Sequence, residues 1–154
     1  MGSEIERDSS SLSCVFISDF FYDTVPNPGG AEISDHELIQ YLISSGIEVE
    51  KILCGDVSPQ ILDSNSFFII SNHTRLNPSF KASLQRKKYI IYEHDHKYVS
   101  TRDPSVFPNF HAPPEHLIDI SFYINAATVI CKSKIHEEVM RRNMGIQTTH
   151  NIGC

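Results

Sequence analysis

Short apolar runs alternate along this chain with longer stretches whose apolar residues return three and four positions apart. The first run, 13–21 (SCVFISDFF), reads as a strand and empties into a loop carrying two prolines and two glycines. Over 31–45 the residues Ile33, Leu38, Ile39, Leu42 and Ile43 recur at near-helical spacing, and Gly46 supplies a stop. The pattern predicts a second strand at 48–55 (EVEKILCG), a short turn or helix at 59–63, and the clearest buried strand at 66–72 (SFFIISN). A basic-ended helix follows at 78–87, then a fourth strand at 88–95 (KYIIYEHD). The polar, proline-bearing segment 97–112 is long enough for a functional loop rather than a simple connector.

Pro113-Pro114 predicts the start of a helix running through Ala126, with Leu117, Ile118, Phe122 and Ile124 as its apolar surface. Residues 128–132 (TVICK) read as a fifth strand. Ser133 is placed to cap a helix at 134–144, with Glu137 close to the capping-box position and Gly145 as the stop. A sixth strand is predicted at 147–152 (QTTHNI). Strands and helices in this alternation make a parallel sheet covered on both faces. The expected fold class is α/β: a Rossmann-like, doubly wound parallel sheet in a single domain.

Composition narrows the function classes. A chain of 154 residues suits one domain, able to bury about two thirds of its unfolded surface. The net charge of −6, with no Lys/Arg-rich stripe, argues against nucleic acid as a partner. No run of about eighteen apolar residues offers a transmembrane segment, and the polar residues 1–12 read as a flexible tail, not a signal peptide. A cytoplasmic protein is the expectation. Cys14, Cys54 and Cys131 lie in or beside apolar runs, as small buried hydrophobes do, and with the terminal Cys154 they show neither zinc nor disulfide spacing.

The candidate chemistry lies where strands end. Asn27-Pro28-Gly29-Gly30-Ala31-Glu32 opens a helix through two glycines, so that neither Gly30 nor Ala31 offers a side-chain oxygen to its first amides. Such a bare, positive helix end seats an anion such as a phosphate. Against this stands the plainer reading of Gly-Gly as a tight turn, and no dinucleotide or P-loop fingerprint accompanies it. Asn72-His73 follow the third strand, Glu93-His94-Asp95-His96 the fourth and Lys132-Ser133 the fifth; parallel strands bring all of these to one rim. His94 and His96, two apart, lack a further nearby ligand for a metal, and His73 is equally a hydrogen-bonding group at a strand end. No metal is expected.

Taken together, the Gly29-Gly30-Ala31-Glu32 junction, the strand ending in Glu93-His94-Asp95, and the stretch from Ala126 to Ser133 with its A-x-x-V-I-x-x-S pattern resemble the amino-terminal domain of family-four GT-B glycosyltransferases. The resemblance covers nearly all of the chain after residue 12, and His150-Asn151-Ile152-Gly153 is similar to the segment preceding that family's hinge. It implies that 13–154 form the acceptor-side half of an enzyme moving a sugar from a nucleoside-diphosphate sugar to a hydroxyl acceptor. The nucleotide sugar would be a co-substrate, with no separate cofactor. The paired glutamates of the family's second domain have no counterpart here, so a carboxy-terminal GT-B domain or subunit is the implied partner.

By the same resemblance, amides of Gly29, Gly30 and Ala31 approach the diphosphate, and His94 orients or deprotonates the hydroxyl. Asp95 would hold that imidazole, while Asn72 and His73 line the acceptor crevice. The alternative is a non-catalytic binding or scaffolding module of the same fold. A receiver or flavodoxin fits poorly, because Asn72-His73 replace a phosphorylatable aspartate and Pro-Asn-Pro-Gly-Gly replaces a Ser/Thr-rich phosphate loop.

Overall fold

Eleven elements carry the architecture of the computed structural model, which describes residues 11–64 and 66–153. The expected tail thus lies, up to position 10, outside the described residues, as does Cys154. In chain order they are β1 (Ser13–Ser18), α1 (Gly30–Ser44), β2 (Glu48–Leu53), α2 (Pro59–Leu62), β3 (Phe67–Ile70) and α3 (Pro78–Leu84). β4 (Tyr89–Tyr92), α4 (Ile120–Ile124), β5 (Thr128–Cys131), α5 (Lys134–Met144) and β6 (Thr149–Asn151) complete them. The strands form one six-stranded, all-parallel sheet in the order β2-β1-β3-β4-β5-β6.

Strand periodicity sorts the core into two layers. Val15, Ile17, Phe68, Ile70, Tyr89 and Ile91 face one side, where Leu62, Leu84, Phe122 and Met140 bring α2, α3, α4 and α5 against them. Cys14, Phe16, Ile69 and Tyr92 face the other side, where Ile39 of α1 meets them. Each fully buried Ile, Leu or Phe stabilises the fold by about 1.5–3 kcal/mol, which is why the strands are apolar on both faces. The expected α/β, Rossmann-like sheet is therefore the fold observed. Cys14, Cys54 and Cys131 are buried free thiols within it.

Helix ends follow the predicted punctuation. Gly46 takes φ 84° while the Ile47 amide donates to the Leu42 carbonyl at 3.0 Å, and Gly145 takes φ 65° while its amide donates to the Arg141 carbonyl at 2.8 Å. Ser133 Oγ accepts from the His136 amide at 3.2 Å. Glu137 lies one residue past the capping-box position; it instead accepts from Thr149 Oγ1 and Asn151 Nδ2, each at 2.6 Å, and ties α5 to β6.

The helix predicted from Pro114 through Ala126 is shorter than expected. A 3₁₀ turn at Pro114–His116 gives way to extended backbone, because the Ser100 amide donates to the His116 carbonyl and the Ile118 amide to the Tyr98 carbonyl, each at 2.8 Å. Asp119 then takes a left-handed conformation, its carboxylate held by Lys81 Nζ at 2.7 Å, and α4 starts only at Ile120. The long segment between β4 and α4 is thereby laced back on itself above the carboxyl edge of the sheet.

Candidate functional site

Strand order reverses direction between β1 and β3, and in open parallel sheets a crevice opens at that place beyond the strands' carboxyl ends. The loop after β1 ends at Gly29, the N-cap of α1, whose amide donates to Glu32 Oε2 at 2.7 Å. The amides of Gly30, Ala31 and Glu32 find no acceptor among the described residues. Neither Gly29 nor Gly30 has a positive φ. A Cβ on Gly30 would meet nothing within 4 Å, and one on Gly29 would meet only the Glu32 carboxylate at 3.0 Å. The backbone turn therefore does not demand these glycines. Their bareness keeps space open over the helix end.

That space is a cleft of about 670 Å³, lined by Gly29, Gly30 and Ala31 together with Asn72, His94 and Asp95. Arg102 and Lys132 bring positive charge to it, and Glu32 and Asp95 bring negative charge. Residues predicted from three separate loops thus share one wall. His73 does not join them. It is 1% exposed, its Nε2 shares a hydrogen bond with the Tyr123 hydroxyl at 3.0 Å, and burial followed by the Lys81 and Lys97 charges pushes it down to about 3.

His94 is held by two side chains, one on α1 and one at the end of β3. Its Nε2 lies 2.7 Å from Asp35 Oδ1 and 2.9 Å from Ser71 Oγ, and Ser71 itself donates to Asp35 Oδ1 at 2.8 Å. Asp35 projects from α1 and is fully buried, while the His94 side chain is 6% exposed. With a carboxylate as acceptor, Nε2 carries the hydrogen, which makes Nδ1 the acceptor nitrogen of the neutral ring. His94 Nδ1 is buried and unpartnered among the described residues.

The expected pairing of His94 with Asp95 is corrected by this geometry. Asp95 turns to Lys97 Nζ at 2.7 Å and to the guanidinium of Arg102. Burial would raise the Asp95 carboxyl, but the Lys97 ammonium, its hydrogen bond and Arg102 hold it well below the usual carboxylate range. Lys97 also reaches Glu93 Oε1 at 2.8 Å, and the Tyr123 hydroxyl donates to the other oxygen of Glu93. Burial opposes the charge on Lys97, yet Glu93 and Asp95 beside it push it above the ordinary lysine range. A continuous polar chain thus runs from His73 through Tyr123, Glu93 and Lys97 to Asp95 and Arg102 at the cleft.

Neither a scan against protein-family models nor a search of curated proteins returns a match to this chain. Among the described residues no group of three or more His, Cys, Asp or Glu side chains could hold a metal ion, and no helix is long and apolar enough to cross a membrane. His94 and His96 diverge: His96 Nδ1 lies 2.6 Å from the Tyr98 hydroxyl, and its ring sits 4.4 Å from that of His136.

Asp35 is the residue of the candidate site that sequence reasoning missed. Its signal was present, since it falls three and four residues before Leu38 and Ile39 on the apolar stripe of α1, where a carboxylate needs a buried partner. Arg102 carried no such signal. Its left-handed backbone, φ 57°, belongs to a loop whose path depends on the rest of the fold.

Proposed function

We propose that this domain is the acceptor-side half of a glycosyltransferase, moving a sugar from a nucleoside-diphosphate sugar to a hydroxyl with a second Rossmann-like domain completing the donor site. The observation that carries this reading is the shared cleft. An uncovered helix amino end with two conformationally unnecessary glycines faces the same space as a buried Asp-His pair.

In the proposed reaction the acceptor oxygen bonds to the anomeric carbon, and the bond from that carbon to the diphosphate oxygen breaks with its electron pair. The leaving diphosphate then carries the negative charge. Amides of Gly30 and Ala31, already aimed and without acceptors, stabilise that charge without reorganising. The hydroxyl proton passes to His94 Nδ1. An unsatisfied buried acceptor costs about 1–3 kcal/mol, and a hydrogen bond from an incoming hydroxyl recovers it. Asp35 fixes the tautomer and stabilises the imidazolium that forms. Asn72 takes part as a polar wall residue of the same cleft, and Asp95, locked to Lys97 and Arg102, positions the 93–102 turn.

His94→Ala, introduced into an active assembly of both domains, is expected to reduce turnover at least a hundredfold with donor binding intact. Unchanged turnover removes His94 from the mechanism. Donor and sugar binding that persist in an assembly with no turnover at all would instead favour a binding module.

A further inference from the structure

A second cleft, of about 400 Å³, adjoins the first across His94 and Asp95, and its chemistry differs from that of its neighbour. We infer that this side cleft is the subsite for the acceptor, and that it takes an uncharged or amino-bearing polyol such as a sugar in preference to a phosphorylated or carboxylated one. The inference rests on the sugar-transfer reading for the word acceptor, but the binding preference stands on the cleft itself.

Its polar wall is a pair of imidazoles. His136 spends one nitrogen, donating from Nε2 to the Asp95 carbonyl at 2.8 Å, so its Nδ1 is left as an acceptor. His96 spends Nδ1 on the Tyr98 hydroxyl, and neither remaining nitrogen is among the buried, unpartnered atoms. Burial and the neighbouring His136 push His96 down to about 4, and burial likewise lowers His136, so both rings are neutral near pH 7. Neutral imidazoles at adjacent positions match hydroxyl groups, which donate and accept, and they exert no pull on an anion. Asp103, at the rim, adds a carboxylate that repels one. The main cleft, by contrast, has Arg102 and Lys132, and where the amino end of α5 borders the side cleft its His136 amide is already capped by the Ser133 hydroxyl, whereas α1 has no side-chain cap.

Phe110, Ile135 and Val139 give the cleft apolar lining, and Phe110 is held there under backbone strain. Asn109 and Phe110 both take left-handed backbone conformations, φ 55° and 57°, which is costly for a bulky side chain and persists only where surroundings impose it. Here α5 imposes it: Arg142 Nη1 donates to the Asn109 carbonyl at 2.5 Å, and Asn143 Nδ2 to the Phe110 carbonyl at 2.8 Å. Asn143 Oδ1 also accepts from the Ala112 amide at 2.8 Å. The outcome is a Phe110 ring that lines the cleft while remaining 48% exposed, unlike the aromatic residues of the core. A ring presented beside hydroxyl-matching groups suits the apolar face of a sugar.

The test is a titration of the isotope-labelled chain, followed by the resonances of the His96 and His136 rings and the Phe110 amide. The probes are methyl glycosides of glucose, galactose and mannose, glucosamine, and the corresponding hexose 6-phosphates. At least one unphosphorylated probe is expected to shift these resonances saturably and to bind at least fivefold tighter than its 6-phosphate. Phe110→Ala should weaken it about tenfold, and Asp103→Asn, which retains a side-chain oxygen to accept from the Ser105 amide, should narrow the discrimination against the phosphate. Absence of any saturable shift with the unphosphorylated probes, or tighter binding of the phosphates, overturns the inference. A parallel titration with UDP, read at the Gly29, Gly30 and Ala31 amides, reports on the main cleft separately, so a failure of either reading is recognised on its own.

Discussion

His94 Nε2 lies 2.7 Å from Asp35 Oδ1, joining the turn after β4 to the first helix through a buried ion-capable pair. The carboxylate also takes hydroxyl donors from Ser18 at 3.4 Å and Ser71 at 2.8 Å, so it is ordered by the ends of β1 and β3. An imidazole fixed at one nitrogen by a carboxylate presents the other as a base, and this is the arrangement that proton abstraction requires.

Asp35→Asn is therefore expected to separate folding from function. An amide in place of the carboxylate leaves one buried group mismatched, at a cost of about 1–3 kcal/mol, which chemical denaturation measures. Turnover of the complete assembly should fall about a hundredfold or more. Long-range proton–nitrogen spectra should show the His94 Nε2–H tautomer in the natural chain and its loss in the variant; an unchanged tautomer contradicts the role given to Asp35.

Gly30→Ala tests the open helix end. Nothing lies within 4 Å of the added Cβ, and alanine at a compatible helical position stabilises by about 0.4–1 kcal/mol. The melting temperature should hold or rise while nucleotide diphosphate binding weakens, and Gly30→Val should weaken it further. If binding survives both changes, the helix end is not the diphosphate seat.

The fold was legible in the sequence because parallel strands buried on both faces leave continuous apolar runs, and Gly46 and Gly145 mark helix ends by local backbone chemistry alone. The site was legible only in part. Gly29, Gly30, Ala31, Asn72, His94 and Asp95 could be found because strand ends of a parallel sheet converge by topology. The partner of His94 could not be read from adjacency, since Asp35 is 59 positions away and reaches it across the sheet edge. Likewise His73 and the helix expected at 114–126 depended on tertiary pairing with Tyr123 and with residues 98–100.

The buried Glu93–Lys97 pair makes a stability prediction. Lys97→Met leaves the Glu93 carboxylate with the Tyr123 hydroxyl but no counter-charge, and removing one partner of a buried pair costs about 3–5 kcal/mol. Replacing both, as Glu93→Gln with Lys97→Met, should restore most of that loss in denaturant unfolding. A fully additive double variant would show that the two charges do not act on one another.

Acid sensitivity follows from the histidines. Both His73, held down at about 3, and His96, at about 4, remain neutral when the unfolded chain takes up protons below about pH 6.5. The unfolded state then binds more protons, so stability drops as the pH is lowered across that window, by at most about 1.4 kcal/mol per unit for each group. Asp95, depressed when folded, contributes stability above the usual carboxylate range and loses it as pH falls further. His73→Gln should flatten the stability profile between pH 6.5 and 4 in denaturation at a series of pH values; an unaltered slope removes His73 from the explanation.

The most direct test of the shared cleft is an amide-resolved titration of the whole chain with UDP, GDP and ADP. At least one of these diphosphates is expected to shift the Gly29, Gly30 and Ala31 amides saturably, at millimolar affinity, together with the His94 ring signals. Saturation that moves neither set, or moves only amides at the opposite edge of the sheet, contradicts the proposal that a leaving diphosphate and the His94 base work in the same space.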